Sequence, residues 1–263
     1  MKFSGLQKCS FVDFPGKIAA VIFTQGCNFN CTYCHNRCTI ENAKNVENTG
    51  HIEKKLLDES DVLAFLAKRR GMLDGVVVSG GEPTLRNGLE NFIRKVRLMG
   101  FAVKLDTNGT RPNVVKSLLD ARLLDFVAMD VKAPLHRYEQ ITRRTTNINA
   151  IRQSIDLLLG CDVDYEFRTT LAPQLSAADV LMIATRIHGA KRYAIQQYRR
   201  VENEDDTTTL NTDERIPHSD QYVLSVADLV RPMVSVCEVR GVSQAVRNAA
   251  EYEPAAKKLQ EAV

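Results

Sequence analysis

The sequence predicts an α/β fold built as a partial (β/α)6 TIM-like barrel with a short C-terminal extension. Three observations carry this expectation. Short, nearly continuous apolar runs recur along the chain, as in strands buried on both faces. Amphipathic segments with helix caps and stops lie between them, which calls for parallel strands joined by helical crossovers. Six such units fit within the first 200 residues, too few for a complete eight-unit barrel. An open doubly wound sheet has the same periodicity and stays open at this point.

Ile18–Thr24 (IAAVIFT) reads as the first buried strand, ending at Gln25-Gly26. Ser60–Arg70 is the first clear helix, with a Ser or Asp cap, a basic last turn and Gly71 as its stop. Gly75–Ser79 (GVVVS) is the second strand, followed by a helix at Leu89–Met99 that Gly100 ends. Phe101–Leu105 (FAVKL) is the third strand, and Pro112 suits the first turn of a helix over Asn113–Ala121. Leu124–Met129 is the fourth strand, and Asn147–Leu159 is a helix stopped by Gly160. Tyr165–Thr170 (YEFRTT), a helix at Ala177–Ile187 and Arg192–Gln196 (RYAIQ) complete the alternation. Glu202–Glu214 then carries six carboxylates and no base, which reads as an exposed loop. A helix around Gln221–Leu229, an apolar stretch Met233–Val239 and a polar terminal helix Gln244–Ala262 follow. Residues 1–200 are thus expected to form the core barrel. Residues 201–263 are expected to form an acidic loop and a helix/strand extension packed on it.

Of the 263 residues, 44% are apolar and 25% charged, which excludes disordered and fibrous classes. A net charge of +3 from 35 basic and 32 acidic residues is too balanced for a nucleic-acid-binding face. The longest early apolar run, Ile18–Phe23, is too short for a membrane span or a signal-peptide core. The expected location is cytoplasmic, with no nucleic-acid or membrane partner. Four of the seven cysteines, Cys27, Cys31, Cys34 and Cys38, fall within twelve residues. In a reducing compartment such clustering points to ligation rather than disulfides. Cys9, Cys161 and Cys237 are isolated and read as small buried apolar side chains.

The unusual polar segments all follow strands, where parallel α/β folds keep their functional groups. After the first strand comes a C-x3-C-x2-C array of Cys27, Cys31 and Cys34. Three such thiolates suit three corners of an iron–sulfur cluster or three positions on zinc, with His35 or Cys38 as a fourth zinc ligand. The array alone does not choose between them. After the second strand stands Gly80-Gly81-Glu82-Pro83, where two glycines allow close backbone approach to a ligand and Glu82 offers an acceptor to a cation. Asp106-Thr107-Asn108-Gly109 ends the third strand and Met129-Asp130-Val131-Lys132 the fourth. Arg168 ends the fifth, while Gln196 and Gln197 end the sixth, all near the same mouth.

The cysteine spacing and the later strand ends together resemble the radical S-adenosylmethionine (SAM) superfamily, and within it the glycyl-radical-enzyme activases. The blocks FVDFPG, CNFNCTYCHN, RRGMLDGVVVSGGEPTL, KLDTNG, FVAMDVKAP and DYEFRTT are similar to the anaerobic ribonucleoside-triphosphate reductase activating protein family, in its longer single-cluster branch. The resemblance implies a barrel of the radical SAM type and a [4Fe-4S] cluster on Cys27, Cys31 and Cys34. SAM would chelate the iron left without a protein ligand, so Cys38 stays outside the ligand set. By the same resemblance Tyr33 packs near the adenine, and Gly80, Gly81, Glu82 and Pro83 form the segment that binds the SAM amino group. Asp106 and Asp130 would hold a monovalent cation beside the SAM carboxylate, with Thr107 and Asn108 in the same segment. Lys132 and Arg168 would reach the cofactor.

The implied reaction is reductive cleavage of SAM to methionine and a 5′-deoxyadenosyl radical, which takes hydrogen from a glycine of an anaerobic ribonucleotide reductase. Cluster and SAM carry that chemistry, and no side chain is implied as a catalytic residue. The implied partners are the reductase and a reduced flavodoxin- or ferredoxin-type electron donor. One alternative keeps radical SAM chemistry but acts on another glycyl radical enzyme, such as pyruvate formate-lyase, or on a small molecule. A second, from a different class, is a non-catalytic zinc-binding interaction protein, which leaves the GGEP, DTNG and MDVK strand ends unexplained.

Overall fold

A computed structural model of the protein describes residues 1–34, 56–199 and 216–243. The segments Glu202–Glu214 and Gln244–Ala262, together with His35 and Cys38, lie outside the described residues. Strand β1 (Lys2–Ser10) turns back antiparallel into β2 (Ala19–Thr24), and the short β3 (Leu57–Asp58) pairs antiparallel with β1. From β2 the sheet continues through β4 (Gly75–Gly80), β5 (Ala102–Thr107), β6 (Phe126–Asp130), β7 (Asp164–Leu171), β8 (Tyr193–Gln197) and β9 (Cys237–Arg240). These seven are parallel. The strand order, β3-β1-β2-β4-β5-β6-β7-β8-β9, advances in one direction. A doubly wound sheet reverses direction at a switch point, so the partial barrel is the architecture adopted. Among the described residues β3 and β9 are the separate edges of the sheet, which is an arc.

Seven helices are described: α1 (Glu59–Ala67), α2 (Leu89–Leu98), α3 (Pro112–Asp120), α4 (Tyr138–Thr142), α5 (Ile148–Leu159), α6 (Ala177–Arg186) and α7 (Asp220–Val230). Their starts follow local chemistry. Asn147 accepts from the Ala150 N–H at the head of α5, Ser176 and Asp179 form a capping box on α6, and Ser219 accepts from Tyr222 on α7. The helix expected over Ser60–Arg70 ends at Ala67 instead, because the basic residues after it turn away and Arg70 bridges to Leu73. β1, β3 and α4 were not anticipated. β1 is an outer strand with a largely polar second half, so it lacks the apolar run that marks the others. The stretch Met233–Val239 yields β9, a seventh parallel strand.

Strand alternation sorts the core into two parts. Ala20, Ile22, Val76, Val78, Val103, Leu105, Val127 and Ile195 point outward and join the helices in the larger apolar cluster. Ala19, Val21, Val77, Phe126 and Ala128 point into the arc and pack with Phe14 from the β1–β2 turn, closing its base. Gly75 makes room for that plug, since a Cβ there would lie 2.9 Å from the Phe14 ring. Of the isolated cysteines only Cys237 is buried. Cys9 is exposed and Cys161 half-buried, because one lies on the polar part of β1 and the other just past the end of α5. No helix among the described residues is long and apolar enough to cross a membrane.

Candidate cofactor site

At the carboxyl ends of the parallel strands the arc encloses a cavity of about 370 Å3. Cys27, Cys31, Cys34 and Tyr33 line it from the loop after β2. That loop is anchored on α4. Phe29 is buried with its ring edge-on to Tyr138 of α4, 6.3 Å between centroids, and the Asn30 N–H donates to Thr142 O at 2.9 Å. Burial pushes the Cys27 thiol up, partly offset by the Phe29 N–H, and pushes Cys31 up to about 11. Ligation of a metal as thiolate therefore has to release their protons. Among the described residues no three Cys, His, Asp or Glu side chains converge on a point one ion could occupy. A single zinc needs its sulfurs about 2.3 Å from one centre, whereas a cluster distributes its cysteines over separate irons. Three thiols on one loop at the cavity suit the three protein-held irons of a cluster.

The Gly-Gly turn after β4 meets the cysteine loop backbone to backbone. Gly81 N–H donates to Thr24 O at 3.0 Å and Glu82 N–H to Gly26 O at 2.9 Å. A Cβ on Gly81 would lie 1.9 Å from Gly26 O, and one on Gly80, whose φ is +114°, 2.3 Å from Thr24 N. The close approach expected of these glycines is thus first of all to the neighbouring loop, and both still line the cavity. Glu82 and Pro83 stand behind the wall. Glu82 is 0% exposed, and its carboxylate accepts from the Thr84 N–H (3.1 Å), the Thr84 hydroxyl, the Thr107 hydroxyl (2.8 Å) and the Asn108 N–H (2.6 Å). Burial raises its pKa despite these donors. Its visible role is to tie the β4 loop to the β5 loop.

The far wall is ionic. Arg168 places Nε 2.8 Å from Asp130 Oδ1 and Nη1 3.4 Å from Asp106 Oδ2. Lys132 Nζ lies 2.8 Å from Asp130 Oδ2, and Lys104 Nζ 2.9 Å from Asp106 Oδ1. Ser79 donates to Asp106 Oδ2 at 2.9 Å. Burial works against ionisation of both aspartates, yet Arg168 with Lys104 holds Asp106 low, and Arg168 with Lys132 holds Asp130 well below the usual carboxylate range. Lys132 also lies 6.0 Å from the Tyr33 ring centroid, and the Tyr33 hydroxyl is buried without a hydrogen-bond partner. A buried orphan hydroxyl beside Lys132, in a cavity that Arg168 also lines, suits a polar, anion-bearing ligand.

Twelve of the fourteen residues singled out in the sequence therefore share one cavity: all but Glu82 and Pro83. Gln196 joins them there, whereas Gln197 turns away and donates to His218 O at 2.5 Å. Sequence reasoning missed Lys104 and Glu166. Each is a lone charge inside an apolar strand, FAVKL and YEF, and that anomaly was the available signal. Ser79 and Asp13 also line the cavity, and neither carries a signal of its own.

Fold and site together define a class: a one-directional parallel arc whose mouth holds a three-thiol loop and a charged ligand cavity. The chain belongs to the radical SAM superfamily, whose pattern matches residues 21–187. It is 35% identical over 202 residues to a putative glycyl-radical enzyme activating enzyme of Methanocaldococcus jannaschii, covering 74% of this chain and 79% of that one. It is 33% identical over 130 residues to the pyruvate formate-lyase 1-activating enzyme of Escherichia coli K12, covering 48% of this chain and 50% of that one. Among solved structures, SuiB of Streptococcus suis bound to S-adenosylmethionine superposes with a TM-score of 0.60 at 10% identity, over 85% of this chain and 50% of that one, a likeness of fold. Membership of the superfamily implies a [4Fe-4S] cluster and SAM as cofactors.

Proposed function

We propose that this chain is a radical SAM activase that generates a glycyl radical on an anaerobic ribonucleoside-triphosphate reductase. One observation carries the reading: the three-cysteine loop and the charged cavity share a mouth on an arc whose edge strands do not join. That opening suits a polypeptide loop from another protein, and the likeness to an activating enzyme over most of the chain supports it. Cys27, Cys31 and Cys34 hold the cluster as thiolates. When bound, cluster and SAM supply the one-electron cleavage and the radical that removes hydrogen from glycine, with the electron coming from a reduced flavodoxin or ferredoxin.

The protein's part is to bind and orient. The Gly80-Gly81 backbone faces the cysteine loop and presents peptide groups to the SAM amino group, with Glu82 and Pro83 fixing the turn from behind. Tyr33 borders the adenine side. Arg168 and Lys132 face the SAM carboxylate, and Asp106 and Asp130 hold these bases in place. A monovalent cation between the aspartates would enter by displacing Arg168, because each of the four carboxylate oxygens already meets a cationic side chain. The test is electron paramagnetic resonance on the anaerobically reconstituted, reduced protein mixed with SAM and its own organism's anaerobic ribonucleotide reductase. A SAM-dependent glycyl-radical doublet is expected. A cluster signal that shifts with SAM but gives no doublet would reject the reductase as substrate.

A further inference from the structure

We infer that Asn108 is a positioning residue that acts on the cluster ligand Cys27 and raises the reduction potential of the cluster; the inference rests on the assignment of Cys27 as a ligand. Three side chains form a closed ring at the junction of the β2 and β5 loops. Asn108 Nδ2 donates to Asn28 Oδ1 at 2.8 Å, Asn28 Nδ2 donates to Thr110 Oγ1 at 2.9 Å, and Thr110 Oγ1 donates to Asn108 Oδ1 at 2.7 Å. The Thr110 N–H adds a second donor to Asn108 Oδ1 at 3.0 Å. With both of these donors on its oxygen, the amide has one orientation, and its nitrogen faces the cysteine loop. One Nδ2 hydrogen is used by Asn28. The other is directed at Cys27 Sγ, 3.8 Å away.

The backbone holds this arrangement from below, where the Asn108 N–H is fixed on the buried Glu82 carboxylate at 2.6 Å. Cys27 Sγ also accepts from the Phe29 N–H at 3.4 Å. Asn108 therefore supplies a second, side-chain donor to the same sulfur, delivered from another strand. A donor to a cluster sulfur stabilises the reduced state more than the oxidised one, because reduction adds negative charge to the cluster, and so raises the potential. The DTNG segment accordingly serves the electron-accepting step as well as the cavity wall, and its asparagine addresses the iron side.

The experiment is an EPR-monitored redox titration of the reconstituted cluster in wild type, Asn108→Ala and Thr110→Ala, with iron and sulfide measured on each sample. In Asn108→Ala the ratio of reduced to oxidised cluster at a fixed potential should fall about fivefold, as expected for one lost hydrogen bond. For a one-electron couple at 59 mV per tenfold this is about 40 mV. Thr110→Ala leaves the donor present but unanchored, so its shift should have the same sign and be smaller. Full iron with an unchanged potential in Asn108→Ala overturns the inference. If Asn108→Ala loses iron, Thr110→Ala decides, and an unchanged potential there overturns it. Retention of iron by Cys27→Ala would instead reject Cys27 as a ligand, a distinct failure.

Discussion

The inside of the arc is divided between two chemistries built on the same strands. Its base, from Ala19 and Val21 through Val77 to Phe126 and Ala128, is apolar and plugged by Phe14. Another part of its inner face, on β5 to β9, carries Lys104, Asp106, Asp130, Glu166, Arg168 and Arg240 in ion contacts. The base is held by area removed from water, which is additive and tolerant of exchange among similar side chains. The ionic wall is held by mutual satisfaction, in which each charge is stable only while its partners stay. One part closes the barrel, and the other gives the cavity its shape.

The contrast can be broken from either side. The largest effect should come from the mouth itself: Cys31→Ala should lose essentially all cluster iron, while Cys38→Ala keeps it, as read by iron and sulfide analysis. Phe14→Ala empties the base and should cost about 3–5 kcal/mol, seen as a lower urea midpoint, while SAM affinity is retained. An equal loss of SAM affinity would show that base and wall are one unit. Glu166→Gln should cost about 3 kcal/mol. Arg240 donates to both Glu166 oxygens, at 3.1 and 2.7 Å, and loses its buried counter-charge. The smallest effect is on pH dependence. Asp106 and Asp130 have depressed pKa values in the folded protein, so their stabilisation is present above the unfolded carboxylate value near 3.9 and is lost as pH falls below it. Asp130→Asn should therefore flatten the acid limb of a urea-midpoint series between about pH 5 and 2.

The alternation of strands and helices was legible because β2 and β4 to β8 are apolar runs bounded by Gly, Pro and cap residues. β1 was not, since Leu6 to Ser10 has no one-faced pattern and its place depends on pairing with β2. The cavity residues were legible as strand-end motifs. What the linear sequence does not contain is their orientation. Nothing in Gly-Gly-Glu-Pro says that the glutamate turns inward to Thr107 and Asn108, because those donors reach it only when β4 and β5 align. The sharing of the two aspartates among Arg168, Lys104 and Lys132 likewise arises from registers such as Asp130 opposite Arg168.

The contact between Gly81 and Gly26 has a consequence for engineering. Two loops that touch too tightly to admit a methyl group behave as one part, although they are far apart in the chain. A cysteine loop transplanted alone into another barrel would lack the surface that sets its path, and lengthening either loop would displace the other. The smallest transferable module is therefore the pair of turns together with the glutamate that clamps them.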